Sequence, residues 1–125
     1  MSFGPGAIIQ LEPHGDALLL TVASGQLTNL NAIDRFDHEM KELSQSRAER
    51  NWVLNFCDVT FIVTPAINTI LVIMKRLRAK GGDLLLTGLN RDIRHIFELM
   101  RLDEVLTIAA DVTAALQALE AAGDR

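Results

Sequence analysis

The chain has one cysteine, Cys57, and so cannot form an intrachain disulfide. That fits a reducing cytosol and excludes the cysteine-stapled secreted folds. Cys57 falls in an apolar run read as a buried strand and has no basic neighbours, so it reads as an inert core thiol. A basic excess is also absent, with 12 Lys and Arg against 16 Asp and Glu. The net charge of -4 leaves no electrostatic footprint for nucleic acid or an anionic membrane. No apolar run reaches the roughly 20 residues needed to span a bilayer. The first six residues lack the basic start and apolar core of a secretory signal. A cytoplasmic location is expected. His14, His38 and His95 have no ligand-type partners at useful spacing, and HExxH, GxSxG and a phosphate-binding glycine loop are all missing. The sequence therefore predicts no catalytic constellation, no metal site and no cofactor.

What is present is a balanced 125-residue composition, 49% apolar and 22% charged, expected to form one compact domain over 1–125. Ala7–Glu12 reads as a strand, Pro13–Asp16 as a turn and Ala17–Ala23 as a second strand, together a hairpin. A helix beginning near Asn29 or Asn31 carries Ile33, Phe36, Met40 and Leu43 as an apolar stripe. Its other face is charged and includes Asp37 and Glu39. Asn51–Cys57 reads as a buried strand, and a helix follows from about Thr64. Gly81-Gly82 ends that helix. Asp83–Gly88 is another buried strand. Asn90 or Asp92 caps a helix with Ile93, Ile96, Phe97 and Met100 inward. Leu106–Ala109 is a short last strand, and Asp111 caps a terminal helix that frays from Ala121.

The order β-β-α-β-α-β-α-β-α predicts an α/β fold. We expect a mixed sheet of four or five strands, with helices packed largely on one face and Trp52–Phe56 as the central strand. Phe36, Leu54, Phe56, Ile70, Met74, Leu85 and Ile96 should be core.

The stretch around Thr64-Pro65 is the most informative. Proline suits the first position of a helix and pushes the preceding residue out of the α region, which makes Thr64 the expected N-cap. A hydroxyl at the positive end of a helix is a good place for a phosphate. Asp58, at a strand end before a loop, reads as a turn residue ahead of the alternative, a group that supports a kinase-bound metal. On the helix, Ile67, Ile70, Leu71, Met74 and Leu77 share one face. Thr69, Val72 and Arg76 fall opposite, with Asn68 and Ile73 at the margins. Val72 and Ile73 are thus apolar where solvent is expected, either as scattered surface hydrophobics or as a docking patch.

Several segments in order resemble those of the STAS domain, the fold of bacterial anti-sigma factor antagonists. They are Gly25-Gln26-Leu27, the strand and loop Asn55–Ile62, the run Ala79–Leu89, and Arg101–Leu106. The resemblance covers nearly the whole chain. It implies a regulatory binding protein that docks a Ser/Thr kinase acting as an anti-sigma factor. It also implies that phosphorylation of a Ser or Thr at the start of the central helix abolishes docking. The usual Asp-Ser-Ser-Gly loop is here Val63-Thr64-Pro65-Ala66. Pro65 stands where the usual acceptor serine would be, which leaves Thr64 as the only candidate acceptor in the loop. The partner surface implied comprises Asp58, Thr60, Val63, Thr64, Pro65, Asn68, Thr69, Val72 and Ile73. Alternatives are a scaffold subunit of a stressosome-like signalling assembly or a small-ligand or nucleotide-binding domain; the chain is also a candidate homodimer. Arg101 stands where the family often has glycine.

Overall fold

The computed structural model describes residues 9–22, 26–27 and 30–123, with side chains described through Leu119 except at 26–27. Strands β1 (Ile9–His14) and β2 (Ala17–Val22) form an antiparallel hairpin, with His14 opposite Ala17. Only Gly15-Asp16 lie between them, and Gly15 takes the positive φ of 60° that a two-residue hairpin turn needs. The turn is therefore shorter than Pro13–Asp16, because β1 continues through Pro13 and His14. A residue without an N–H is tolerated there because β1 is the margin of the sheet.

The remaining elements are β3 (Gln26–Leu27), α1 (Leu30–Ser46), β4 (Asn51–Asn55), β5 (Phe61–Ile62) and α2 (Thr64–Ala79). They are followed by β6 (Asp83–Thr87), α3 (Arg91–Leu99), a 3-10 turn at Leu102–Glu104, β7 (Thr107–Ile108) and α4 (Val112–Gly123). Five strands form one sheet in the order β1-β2-β4-β6-β7, with β4 in the middle as expected. Only the β1–β2 pair is antiparallel. β3 and β5 make a separate parallel pair. Of the sequence expectations, Ala7, Ile8, Ala23, Gly25, Asn29 and the last two residues lie outside the described residues. Ala121–Gly123 continue α4 rather than fraying from Ala121.

The sheet has two covered faces. Leu18, Leu20, Trp52, Leu54, Leu84 and Leu86 lie in the larger core, with side chains from α1, α2 and α3. Leu19, Val53 and Leu85 point the other way, against Ala115 and Leu119 of α4. Burial on both sides is why β2, β4 and β6 read as near-continuous apolar runs.

Six of the seven expected core residues are buried. The seventh, Ile96, is half-buried, and Met100 is exposed because α3 ends at Leu99 and turns away. Leu71 is also only half-buried. Glu39 departs from its expected charged face. It is buried, and its Oε1 accepts the Ile9 N–H at 3.0 Å, tying α1 to the hairpin.

Cys57 is corrected too. β4 stops at Asn55, the chain turns, and the thiol is exposed. Asn55 Oδ1 accepts the Cys57 N–H at 3.1 Å and folds the chain out of the sheet. Gly88 follows β6 at φ 76°, and a Cβ there would lie 2.6 Å from Asn55 Oδ1 and 2.7 Å from the Cys57 nitrogen. Arg101 adopts the left-handed conformation, with φ 58° and ψ 28°. That is a glycine-favouring geometry and accounts for the residue the family often has there.

Candidate functional site

The loop between β4 and α2 is held from three sides. Val59 is buried beneath it and donates its N–H to the Phe56 carbonyl at 2.9 Å. Phe61 and Ile62 pair with Gln26 and Leu27. Asn90 Nδ2 donates to the Thr60 carbonyl at 3.0 Å, while Asn90 Oδ1 accepts the Ile93 N–H at 2.8 Å and caps α3. One asparagine thus ties the loop to α3 and starts that helix. Inverting a two-residue strand puts Ile62 inside and leaves Phe61 47% exposed.

The cap of α2 differs from the sequence expectation by one residue. Val63 is the N-cap, extended at φ -116° and ψ 163°, and offers no side-chain hydrogen bond. Its carbonyl accepts the N–H groups of Ala66 (3.0 Å) and Ile67 (3.3 Å). Thr64 is the first helical residue and Pro65 the second. Both positions lie in the turn whose N–H groups have no intrahelical acceptor, so proline costs no bond at either. Thr64 therefore does not cap α2. It is exposed at the helix start.

Thr64, Asn68 and Val72 are all exposed and recur every four residues, so they line one face of α2 with Pro65 beside the first. Asp58 and Thr60 are exposed on the loop, and Val63 is half-buried. Thr69 and Ile73, expected at or near the surface, are buried at 3% and 0% exposure. The reason is that α1 packs along this flank of α2. The Thr69 hydroxyl donates to Asp37 Oδ1 at 2.7 Å, and Ile73 belongs to the main core. One turn further, Arg76 Nη1 donates to Ser44 Oγ at 2.9 Å and Lys80 Nζ to the Ser44 carbonyl at 2.8 Å. A helical wheel for α2 alone could not show this, because it assumed a single buried face and α2 has two.

Two residues at the loop were not singled out in the sequence, although Phe61 lies within the stretch Asp58–Ile73 expected to face a partner. Phe61 carried no periodic signal in so short a strand. Asn90 was read only as a helix cap. The alternation Phe61-Ile62 before a helix start was the available clue for the first. The contact made by the second joins positions thirty residues apart and has no local signature.

Burial would raise the Asp37 carboxyl. The hydrogen bonds from Thr69 and Lys41, and the charges of Lys41 and Arg76, outweigh it and hold the group below the usual carboxylate range. Among the described residues, no group of three or more His, Cys, Asp or Glu is placed to hold a metal ion. No described helix is long and apolar enough to cross a membrane. A groove of about 720 Å³ lies at the other end of α2, lined by Arg78, Arg94, Glu98, Asp103, Glu104 and the segment through Ile108. It is open and charged with both signs, and it shares no residue with the loop.

Comparison with known proteins gives a consistent result. The STAS domain family model matches residues 9–115. The fold is similar to that of an anti-sigma factor antagonist from Mycobacterium paratuberculosis, with a TM-score of 0.79 and 15% identity, covering 96% of this chain and 99% of that one. It is similar to the phosphorylated form of the Bacillus cell fate determinant SpoIIAA, with a TM-score of 0.66, 19% identity and coverage of 88% and 98%. It is also similar to a chain from the molecular architecture of the stressosome, described as a signal integration and transduction hub, with a TM-score of 0.69, 14% identity and coverage of 93% and 100%.

Proposed function

The chain belongs to the STAS domain family, and from that premise we propose that it is a cytoplasmic regulatory binding protein of the anti-sigma factor antagonist type. In this reading it is not an enzyme. It docks a Ser/Thr kinase that also serves as an anti-sigma factor, through the loop from Asp58 and the exposed strip Thr64, Pro65, Asn68 and Val72. The observation that carries the reading is this strip. Three of its members stand one helical turn apart on a helix fixed on two other sides by the sheet and by α1. A surface so braced can be recognised without first being ordered, which lowers the entropy cost of binding.

Phosphorylation, if the partner writes it, falls on Thr64. A phosphate there adds about -1.5 to -2 charges at pH 7. The helix N-terminus accommodates that charge, but a partner surface seated on Val72 and Pro65 would have to desolvate it. Phosphopeptide mass spectrometry after incubation with the cognate kinase and ATP tests this. Phosphate on Ser44 or Ser46 and none on Thr64 removes the loop from the mechanism.

The alternative is a scaffold subunit in a larger assembly, favoured by Pro65. Proline cannot accept a phosphate, and the fold is shared with a stressosome chain. Absence of phosphate anywhere, with tight partner binding retained, would favour a constitutive antagonist over the switch, and self-association of the purified protein into a larger particle would favour the scaffold.

A further inference from the structure

Phe61 is a large aromatic side chain left in water on a segment whose backbone is pinned. Its main chain pairs with Gln26, its neighbour Ile62 is buried, and the carbonyl just before it, Thr60, is gripped by Asn90. Rigid exposed aromatics make efficient binding anchors, because little freedom remains to be lost when a partner covers them. Three residues upstream, Asp58 is exposed, and it is in none of the ion pairs found among the described residues. The same loop thus exposes one aromatic side chain and one carboxylate.

We propose that Phe61 is the principal anchor of the docking surface and that Asn90 is the positioning residue that holds it. The occupant is a partner protein offering an apolar pocket with a basic rim, the pocket receiving the Phe61 ring and the rim facing Asp58. This rests on the docking reading above and extends it to residues outside the α2 strip. The Asn90 side chain braces the loop through its amide nitrogen and caps α3 through its amide oxygen, while its backbone carbonyl accepts the Arg94 N–H. The two roles are therefore separable by chemistry. Asn90→Asp keeps an oxygen for the Ile93 N–H, since Asp and Asn cap about equally well. It replaces the donor facing Thr60 with a second acceptor, which removes the brace and sets two oxygens against each other.

The experiment has two arms. In the first, amide hydrogen exchange of the free protein is compared for the wild type and Asn90→Asp. Faster exchange confined to the segment from Asp58 to Ile62, with the α3 amides unchanged, is the expected result. Unchanged loop exchange overturns the brace, whatever the partner is. In the second, each Ser/Thr kinase of the histidine-kinase-like ATPase class encoded with this protein is purified and titrated calorimetrically against the wild type, Asn90→Asp, Phe61→Ala and Asp58→Asn. Binding at least tenfold weaker for Phe61→Ala, with a smaller loss for the other two, supports the proposal. Wild-type affinity in Phe61→Ala refutes the anchor while leaving the α2 strip standing. If no such kinase binds the wild type, the docking reading fails and the anchor fails with it, while the exchange arm still reports on the brace. A wild-type protein that sediments as a dimer, and as a monomer once Phe61 is Ala, replaces the partner with a second copy and overturns the occupant named here.

Discussion

The Thr69 hydroxyl lies 2.7 Å from a carboxylate oxygen of Asp37, joining α2 to α1. The same carboxylate pairs with Lys41 at 3.0 Å through its other oxygen. Because the folded protein holds Asp37 below its ordinary pKa, its stabilisation is present at neutral pH. It is lost as the pH falls below about 4 and through the folded value. Thr69→Val should cost about 1 kcal/mol at pH 7, the scale of one partly exposed hydrogen bond to a charge. The difference between wild type and variant should shrink in acid. Urea denaturation at pH 7 and pH 3 checks both points. A difference that grows in acid would reverse the assigned sign.

Thr64→Ala should change stability by no more than about 0.5 kcal/mol, since Val63 and not Thr64 caps the helix. Thr64→Glu should leave the melting temperature nearly unchanged and weaken partner binding at least about tenfold, or 1.4 kcal/mol. Calorimetric scanning and titration read the two effects separately. A large stability loss in Thr64→Ala would restore the hydroxyl to a capping role.

Leu54 on the central strand and Ile70 on α2 are both fully buried. Truncating either to alanine should cost about 2–5 kcal/mol, combining lost transfer energy with the cavity left behind. Chemical denaturation giving less than about half a kilocalorie for both would be incompatible with the packing described.

Arg101→Gly should stabilise the protein by roughly 0.5–1 kcal/mol. Glycine enters the left-handed region without the steric penalty of a Cβ, and this outweighs its larger unfolded-state entropy. Arg101→Ala should gain nothing, because alanine keeps the Cβ. Equal stabilities for Gly and Ala at this position would show that the backbone there is not strained.

Most of the sheet was legible because burial on both faces leaves a strong trace in Leu84-Leu85-Leu86 and Trp52-Val53-Leu54, and because Gly81-Gly82 marks the end of α2. Gly82 proved to have a second role. A Cβ there would collide with the Arg50 carbonyl, where β4 and β6 begin their pairing. The outer side of α2 was readable only in part: of Thr69, Val72 and Arg76, expected there, Val72 alone is exposed, while Thr69 and Arg76 are turned to α1. The sequence did not reveal how much of α2 is shared with α1. Thr69 and Ile73 look peripheral on one helix and become interior when a second helix is laid along it. Cys57 misled for a related reason: the apolar run Val53–Cys57 continues beyond the point where the neighbouring strands stop. The tie from Asn90 to Thr60 and the pairing of Phe61 with Gln26 join distant segments, which no local pattern encodes.

The margins of the sheet carry one more consequence. At one margin, β1 contains a proline, and the amide of Ile9 is already spent on Glu39. At the other, β7 is only two residues long. A strand from a neighbouring molecule would find few hydrogen-bonding sites to template on at either border, which protects a strand-rich protein against fibrous aggregation at high concentration. Association across either border of this sheet therefore depends on side chains more than on backbone pairing, and a surface residue there can be changed without opening the border to strand-on-strand growth.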